Sequence, residues 1–317
     1  KEGKAEKEKK EKRAAPGSQM AETVRSELRA LGMTGTFPPA EVEMSNVKVA
    51  DLSRGREALK FEPLMSWNQK TKSGRISRQY RYTQEFHDRN AAEKFERVKI
   101  ISPHLEKIKV SLTEKMFDIS LTERDREAAA IASVIRETGL RPTDGDESVK
   151  HGHFGISSLQ AWHLEVAGDE IRLDFIGKEG VRNQTVVREP ENVAFLKKAL
   201  ADIQGEDFVF RQATSDDAGS VLKAASLASG GPADIKLKDL RTLKATRLAE
   251  KIVLAFPGPP PPLTGNEKKD VKILQKAILA ISAEVAKVLN NTPTQARDNY
   301  IHPEIWKQWQ SKLSRAS

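Results

Sequence analysis

Cysteine is absent from the 317 residues, which removes thiol catalysis, disulfides and cysteine-ligated zinc from consideration and fits a reducing compartment. Histidine is scarce, with six in all, and His151 and His153 form the only close pair. A bound metal needs three or four convergent ligands, so no metal and no cofactor are expected. No apolar run approaches the roughly 18 residues of a membrane-spanning helix, and no basic start followed by an apolar core marks a signal peptide. No membrane partner is therefore expected. Aromatic residues make up 6% of the chain and only three are tyrosine, so each tyrosine can be weighed individually.

Charge is plentiful: 31% of residues are Asp, Glu, Lys or Arg, and the net balance is +8. A basic excess of this size favours a polyanionic partner, nucleic acid ahead of an anionic membrane. Residues 1–17 mix both charges without a large apolar side chain, cannot bury enough surface to offset chain ordering, and read as a disordered basic tail.

Residues 18–104 are expected to form a small β-rich N-terminal domain with one or two flanking helices. Its strands are EALKFEPLMSWNQ and SRQYRYTQEF, which alternate apolar and polar residues about the turn-forming KSGR. Residues 105–317 are expected to form a larger, mainly helical domain. Thr122 to Thr138 places Ala128, Ile131, Val134 and Ile135 on one helix face, and Gly139 ends that helix. WHLEVA, IRLDFI and VRNQTVV then make a three-stranded patch around turns at Gly168-Asp169 and GKEG. Residues 192–255 return to helix, FPGPPPPL (256–263) is a proline-rich linker, and Lys269 to Leu289 repeats apolar residues on one face, as core packing demands. A last helix carries Trp306 and Trp309.

Several residues could carry chemistry. KTKSGRISRQYRY interleaves Lys70, Lys72, Arg75, Arg78 and Arg81 with Tyr80 and Tyr82, without an acid between them. Such a strand suits phosphates and bases; it also suits an edge strand that discourages aggregation, and composition leaves both readings open. Tyr300 stands alone in NNTPTQARDNYIHP. A free tyrosine is ionised in only about one molecule in a thousand at neutral pH, so attack on a phosphodiester needs cations around the phosphate and an acid for the leaving oxygen. A lone tyrosine is otherwise a packed aromatic. Arg141 follows a helix end in Leu140-Arg141-Pro142, Lys178 tips a hairpin in FIGKEG, and Lys238 and Arg241 lie one helical turn apart in IKLKDLRT. Each alone has a plain structural explanation. Together, two arginines, a lysine and a late tyrosine are a minimal kit for metal-free phosphoryl transfer.

The order LR…FIGKEG…KDLRT…NTPTQARDNY resembles the catalytic domain of type IB DNA topoisomerases, especially the small poxvirus and bacterial enzymes. KSGRISRQYRY resembles that family's S-x-G-R-R-Q-Y-x-Y element, and HDRNAAEKFERV its continuation. The resemblance runs from about Trp67 to Pro303. It implies an α+β, tyrosine recombinase/topoisomerase IB-like fold that closes as a clamp on double-stranded DNA, hinged near residues 103–107. It also implies a monomeric, DNA-associated cytoplasmic enzyme, with nucleoid or virion as alternatives, that relaxes supercoils of either sign without ATP or metal. Tyr300 is then the nucleophile of a 3′-phosphotyrosyl link, Arg141 and Arg241 the transition-state arginines, and Lys178 the general acid. Asn291 occupies a phosphate-contact place where the viral enzymes carry histidine, and its amide can still donate a hydrogen bond. Lys72, Arg75, Arg78, Gln79, Tyr80, Tyr82 and Lys238 are the implied DNA contacts. Leu243 and the inserted Ile76-Ser77 depart from the family pattern.

Two rival readings remain. A tyrosine recombinase shares the helical domain, but such enzymes place histidine where this chain has Lys238 and carry a helical N-terminal domain. A noncatalytic DNA-binding protein of the same fold would give the whole constellation no purpose.

Overall fold

The computed structural model of the chain describes residues 20, 22–39, 42–70, 74, 76–143, 149–255 and 264–313. The expected basic tail, the proline-rich linker, Lys72 and Arg75 lie outside the described residues. The chain divides into two compact units between Glu93 and Lys94.

The first unit contains helix α1 (Glu22–Ala30), strand β1 (Val47–Val49), a short helix α2 (Gly55–Leu59), strands β2 (Met65–Lys70) and β3 (Ile76–Arg81), and the start of helix α3 (Gln84–Ile101). The strands form one antiparallel sheet in the order β1-β2-β3, with Trp67 opposite Gln79 and Ser66 opposite Tyr80. Strand alternation sends Met65 and Trp67 inward, onto a core with Leu28, Met33, Leu59 and Leu64. The opposite face exposes Lys48, Asn68, Ile76, Arg78 and Tyr80.

Two expectations fail in this unit. EALKFEPLMSWNQ is strand only from Met65: Gly55–Leu59 is a short helix that turns Leu59 onto the core, and residues 60–64 form the turn into β2. SRQYRYTQEF is strand only to Arg81. Thr83 caps a helix there, its hydroxyl accepting from the Phe86 amide at 3.0 Å, and the helix continues for 18 residues. Local side chain to backbone bonding outweighs the apparent alternation.

In the second unit, helices α4 (Leu105–Phe117) and α5 (Glu123–Thr138) lead into a second antiparallel sheet. It consists of β4 (Leu164–Ala167), β5 (Glu170–Ile176) and β6 (Arg182–Val187), in the order β4-β5-β6. Helices α6 (Pro190–Leu200), α7 (Ser215–Ala228), α8 (Leu237–Ala255), α9 (Glu267–Leu289), α10 (Pro293–Asn299) and α11 (Pro303–Leu313) complete it. Helix α5 is the axis of the core. Thr122 caps its start by accepting from the Asp125 amide, and residues 127–135 are buried on every side, not on one face. The run of Ala128, Ala129, Ala130 and Ala132 has little side-chain bulk, so neighbouring elements approach closely all round. Buried Glu127 is compensated by the amides of Gln212 (2.7 Å) and Ala213 (3.0 Å).

Helix α9 departs from its expected role along its first half. Ile281, Val285 and Leu289 are buried, Leu274 and Ile278 are half-buried, and Val271 is 46% exposed. The apolar repeat is real, yet among the described residues only its C-terminal half packs into a core.

Candidate active site

Gly139 is the pivot from which the first arginine is delivered. Its φ of 72° closes α5 with a left-handed cap. A Cβ there would stand 3.0 Å from Leu289 and 3.1 Å from Lys244, so the left-handed backbone and the close neighbours both favour glycine. Two residues later Arg141 is fixed through its carbonyl, which accepts from the Ile156 amide at 3.0 Å. Its guanidinium donates to the Asn291 side-chain oxygen at 3.1 Å.

Asn291 is placed by a second helix end. Asn290 caps α9 in the left-handed region (φ 49°), and Thr292 caps α10 by accepting from the Gln295 amide at 3.2 Å. Asn291 is thus held between two caps, its amide donating to the Ala286 carbonyl at 3.0 Å, and its side-chain nitrogen has no partner among the described residues.

Lys178 sits on the single turn joining β5 to β6. Gly177 donates to the Val181 carbonyl at 2.8 Å and Asn183 Nδ2 to the same oxygen at 2.9 Å. Gly180 takes a φ of 74°. The hairpin is therefore rigid at its base while the ammonium is exposed.

Arg241 lies four residues into α8, with 2% of its surface exposed. The start of that helix is anchored by fully buried Asp239, which accepts from Arg97 Nε at 3.2 Å and from the Lys236 amide at 3.0 Å. Burial pulls the Arg241 guanidinium down to about 10, opposed by Tyr300 and reinforced by the neighbouring charge of Arg141. It stays protonated at neutral pH. Its Nε and one terminal nitrogen have no partner among the described residues, so a buried cation is left with donors to spare. Buried donors are normally satisfied, and here the open ones border a cleft of about 520 Å3.

That cleft is walled by Arg141, Lys178, Arg241 and Asn291 together with Phe175 and Gln295. Tyr300 is not part of the wall. It is half-buried against the cluster of Ala245, Val285, Ala296 and Ile301, with the Arg241 guanidinium 5.2 Å from its ring centre. Arg78, Tyr80, Gln79 and Tyr82 belong to the N-terminal sheet and its exit and are not among the residues that wall this cleft. Tyr80 is 45% exposed, Arg78 donates to Ser66 Oγ at 3.1 Å, Gln79 bonds to Ser77 and Tyr82 stacks on Phe86 at 3.9 Å. Lys238 is exposed on α8 beside Asp239.

Sequence reasoning missed Lys94 and Thr246, which hold the backbone around Tyr300. They are distant in the chain from it and belong to no motif, so no local signal marks them. Among the described residues, no three of His, Asp and Glu could together hold a metal ion, and no helix is long and apolar enough to cross a membrane.

One family's sequence model, described as "Eukaryotic DNA topoisomerase I, catalytic core", matches residues 83–317. No curated protein matches the chain.

Proposed function

The chain belongs to the DNA topoisomerase I catalytic-core family and is a DNA topoisomerase of type IB; from that premise we propose that Tyr300 cuts one strand of duplex DNA by transesterification and reseals it. Independence of ATP and metal is consistent with the family. The observation that carries the reading is the convergence of Arg141, Lys178, Arg241 and Asn291 on one cleft, with Arg241 in contact with Tyr300.

In the proposed reaction a phosphodiester lies in the cleft. Arg141 and Arg241 donate to its nonbridging oxygens, where charge accumulates in the transition state. The open nitrogens of Arg241 and the free amide of Asn291 are donors awaiting such oxygens. The Tyr300 oxygen attacks phosphorus and loses its proton to solvent. The bond to the 5′-oxygen breaks, and Lys178 supplies the proton that this oxygen takes up. The link to Tyr300 conserves the phosphodiester energy, so the freed 5′-hydroxyl end rotates and then reverses the chemistry. Supercoils of both signs are relaxed.

The motif order further supports a likeness to the small poxvirus and bacterial enzymes. Residues 18–104 are read as the DNA-gripping part and 105–317 as the catalytic part, working as a monomer that closes on duplex DNA. Limited proteolysis near residues 103–107 checks the closure: cutting in free protein and protection by duplex are expected.

The central test is relaxation of supercoiled plasmid in EDTA without ATP. Wild-type protein is expected to yield a ladder of topoisomers. Tyr300→Phe is expected to yield neither relaxation nor covalent adduct while keeping salt-sensitive DNA binding, because the phosphate contacts remain. Relaxation by Tyr300→Phe would sink the assignment. A requirement for defined paired sites would favour a recombinase instead.

A further inference from the structure

Helix α10 has only seven residues, too few to be stable alone, and it ends at the residue before Tyr300. Its last carbonyls have no partners within the helix. The Asn299 carbonyl is met from α3, where Lys94 Nζ donates to it at 2.5 Å. The Lys94 ammonium lies 4.2 Å from the Phe95 ring centre, and that ring packs on His302 at 5.1 Å. From α8, Thr246 Oγ1 donates to the Tyr300 carbonyl at 3.2 Å and accepts from the His302 amide at 3.2 Å. The amides of Tyr300 and Ile301 both bond back to the Ala296 carbonyl, at 3.1 and 3.0 Å. Every backbone group from Asn299 O to His302 N that these bonds reach is fixed. The Tyr300 backbone is thus held at its amide, its carbonyl and both flanking residues.

We propose that Lys94 is a positioning residue for the nucleophile: with Thr246 it anchors the backbone on both sides of Tyr300, so that the ring swings from Arg241 to a phosphate about a fixed pivot. This rests on the reading of Tyr300 as nucleophile. A cation at a helix C-terminus is also favoured by the helix dipole, so the contact depends on charge as well as on hydrogen bonding. Lys94 is poised to report this. Burial brings its ammonium down to about 8, helped by Lys238 on α8 and Arg97 on α3 and opposed by Asp239 on α8. Thr246 shares α8 with Arg241, five residues on, so one helix sets both the phosphate donor and the tyrosine backbone.

The experiment is single-turnover formation of the covalent adduct on a duplex that cannot religate, with DNA affinity and thermal midpoint measured alongside. Lys94→Met should slow the adduct about 10- to 100-fold at saturating duplex, the scale of a displaced reacting group. Affinity should stay within about twofold and Lys94→Arg should recover most of the rate. The rate of wild type relative to Lys94→Arg should fall between pH 7 and 9.5, because the lysine discharges and the arginine does not. Groups common to both proteins, Tyr300 and Lys178 included, cancel in that ratio. A flat ratio overturns the proposal, as does equal loss of rate and affinity in Lys94→Met, which would make Lys94 a DNA contact. Should Lys94→Met melt early, the wild type to Lys94→Arg ratio decides by itself. Tyr300→Phe is run in parallel. Adduct persisting there removes the nucleophile reading, whereas its loss there beside a normal Lys94→Met removes the anchor alone.

Discussion

In the sheet of the catalytic unit, Arg172 lies against Glu165 and Glu170, Arg188 against Glu170, and Arg182 against Asp174. The N-terminal sheet has the same strand order and the same antiparallel pairing. Its exposed Arg78, however, bonds to the Ser66 hydroxyl and lies 5.9 Å from the Tyr80 ring centre, and Arg81 lies over Trp67 and donates to the Thr36 carbonyl. Neither arginine has a carboxylate partner among the described residues. A guanidinium already neutralised by a carboxylate adds almost no field at an approaching phosphate, whereas one held by a hydroxyl or an aromatic face keeps its full charge. Arg141 and Arg241 in the cleft follow the second pattern, the former on an asparagine and the latter on a tyrosine. A cation's partner, not the local density of basic residues, is therefore expected to decide whether it is available to DNA.

The comparison breaks most sharply on Lys178, in the turn between β5 and β6, which has no acid partner among the described residues. Lys178→Ala should slow strand cleavage about 10²- to 10³-fold, the usual worth of a positioned general acid, with DNA affinity nearly unchanged. A substrate with sulfur at the 5′-bridging position needs no proton on its leaving group and should be cleaved almost as fast by the variant as by wild type. Equal slowing of both substrates would mean that Lys178 does not donate the proton.

The sheets differ next in what lies beneath them. Trp67 seals the N-terminal sheet, whereas the catalytic sheet rests on buried His163, packed on Phe154 at 4.3 Å and Phe175 at 5.9 Å. Burial lowers this imidazole to about 4, and its Nδ1 accepts from the Gln160 amide at 2.9 Å, a bond only the unprotonated nitrogen can make. Between pH 6.5 and 4 an unfolded chain carries that proton and the native one does not, so stability falls as acid is added across this window. The loss should reach about 2–3 kcal/mol, or roughly 30- to 160-fold in the folding constant. His163→Asn keeps an acceptor but cannot titrate, and denaturant melts at stepped pH should show a flatter acid limb. An unchanged slope would place the acid sensitivity elsewhere.

A smaller effect is expected at Arg78. Arg78→Ala should weaken duplex binding about three- to tenfold at low salt and reduce the slope of log affinity against log salt by about one, with less change in rate at saturating duplex than in affinity. A loss of rate without loss of affinity would move Arg78 from DNA contact to a structural role.

Much of this was legible in the sequence, and the boundary of legibility is physical. The three strands around FIGKEG could be read because their turns are short and local. The ends of α5 and α9 could be read because Gly139 and Asn290 mark them chemically. The helix from Gln84 was obscured because its start continues a strand-like alternation, and the cap is a single hydroxyl. The exposed half of α9 was obscured because periodicity reports an apolar face, never whether a partner covers it. Arg141, Lys178, Arg241 and Asn291 could be named from motif order, but their shared cleft is a product of packing. Lys94 and Thr246 carry no motif at all, since each acts through a backbone carbonyl far along the chain.

The smallest effect expected is at Arg182, and it is the sharpest control on the comparison. Arg182 stands four residues after Lys178 on the same hairpin and is exposed, and by position alone it looks as available to DNA as Arg78. Asp174 accepts from its Nε at 2.8 Å and from one terminal nitrogen at 2.5 Å. The bond to Arg182 is the main reason why the Asp174 carboxyl is held at about 2, so the pair persists throughout the working pH range. Exposed pairs of this kind contribute little to stability, and a neutralised cation contributes little to DNA binding. Arg182→Ala should therefore change duplex affinity and cleavage rate by less than about twofold, and Asp174→Asn, which frees the guanidinium, should tighten nonspecific binding and steepen its salt dependence. If Arg182→Ala weakens binding as much as Arg78→Ala, carboxylate pairing does not sort the cations of this protein, and position on the DNA-facing surface alone would have to explain them.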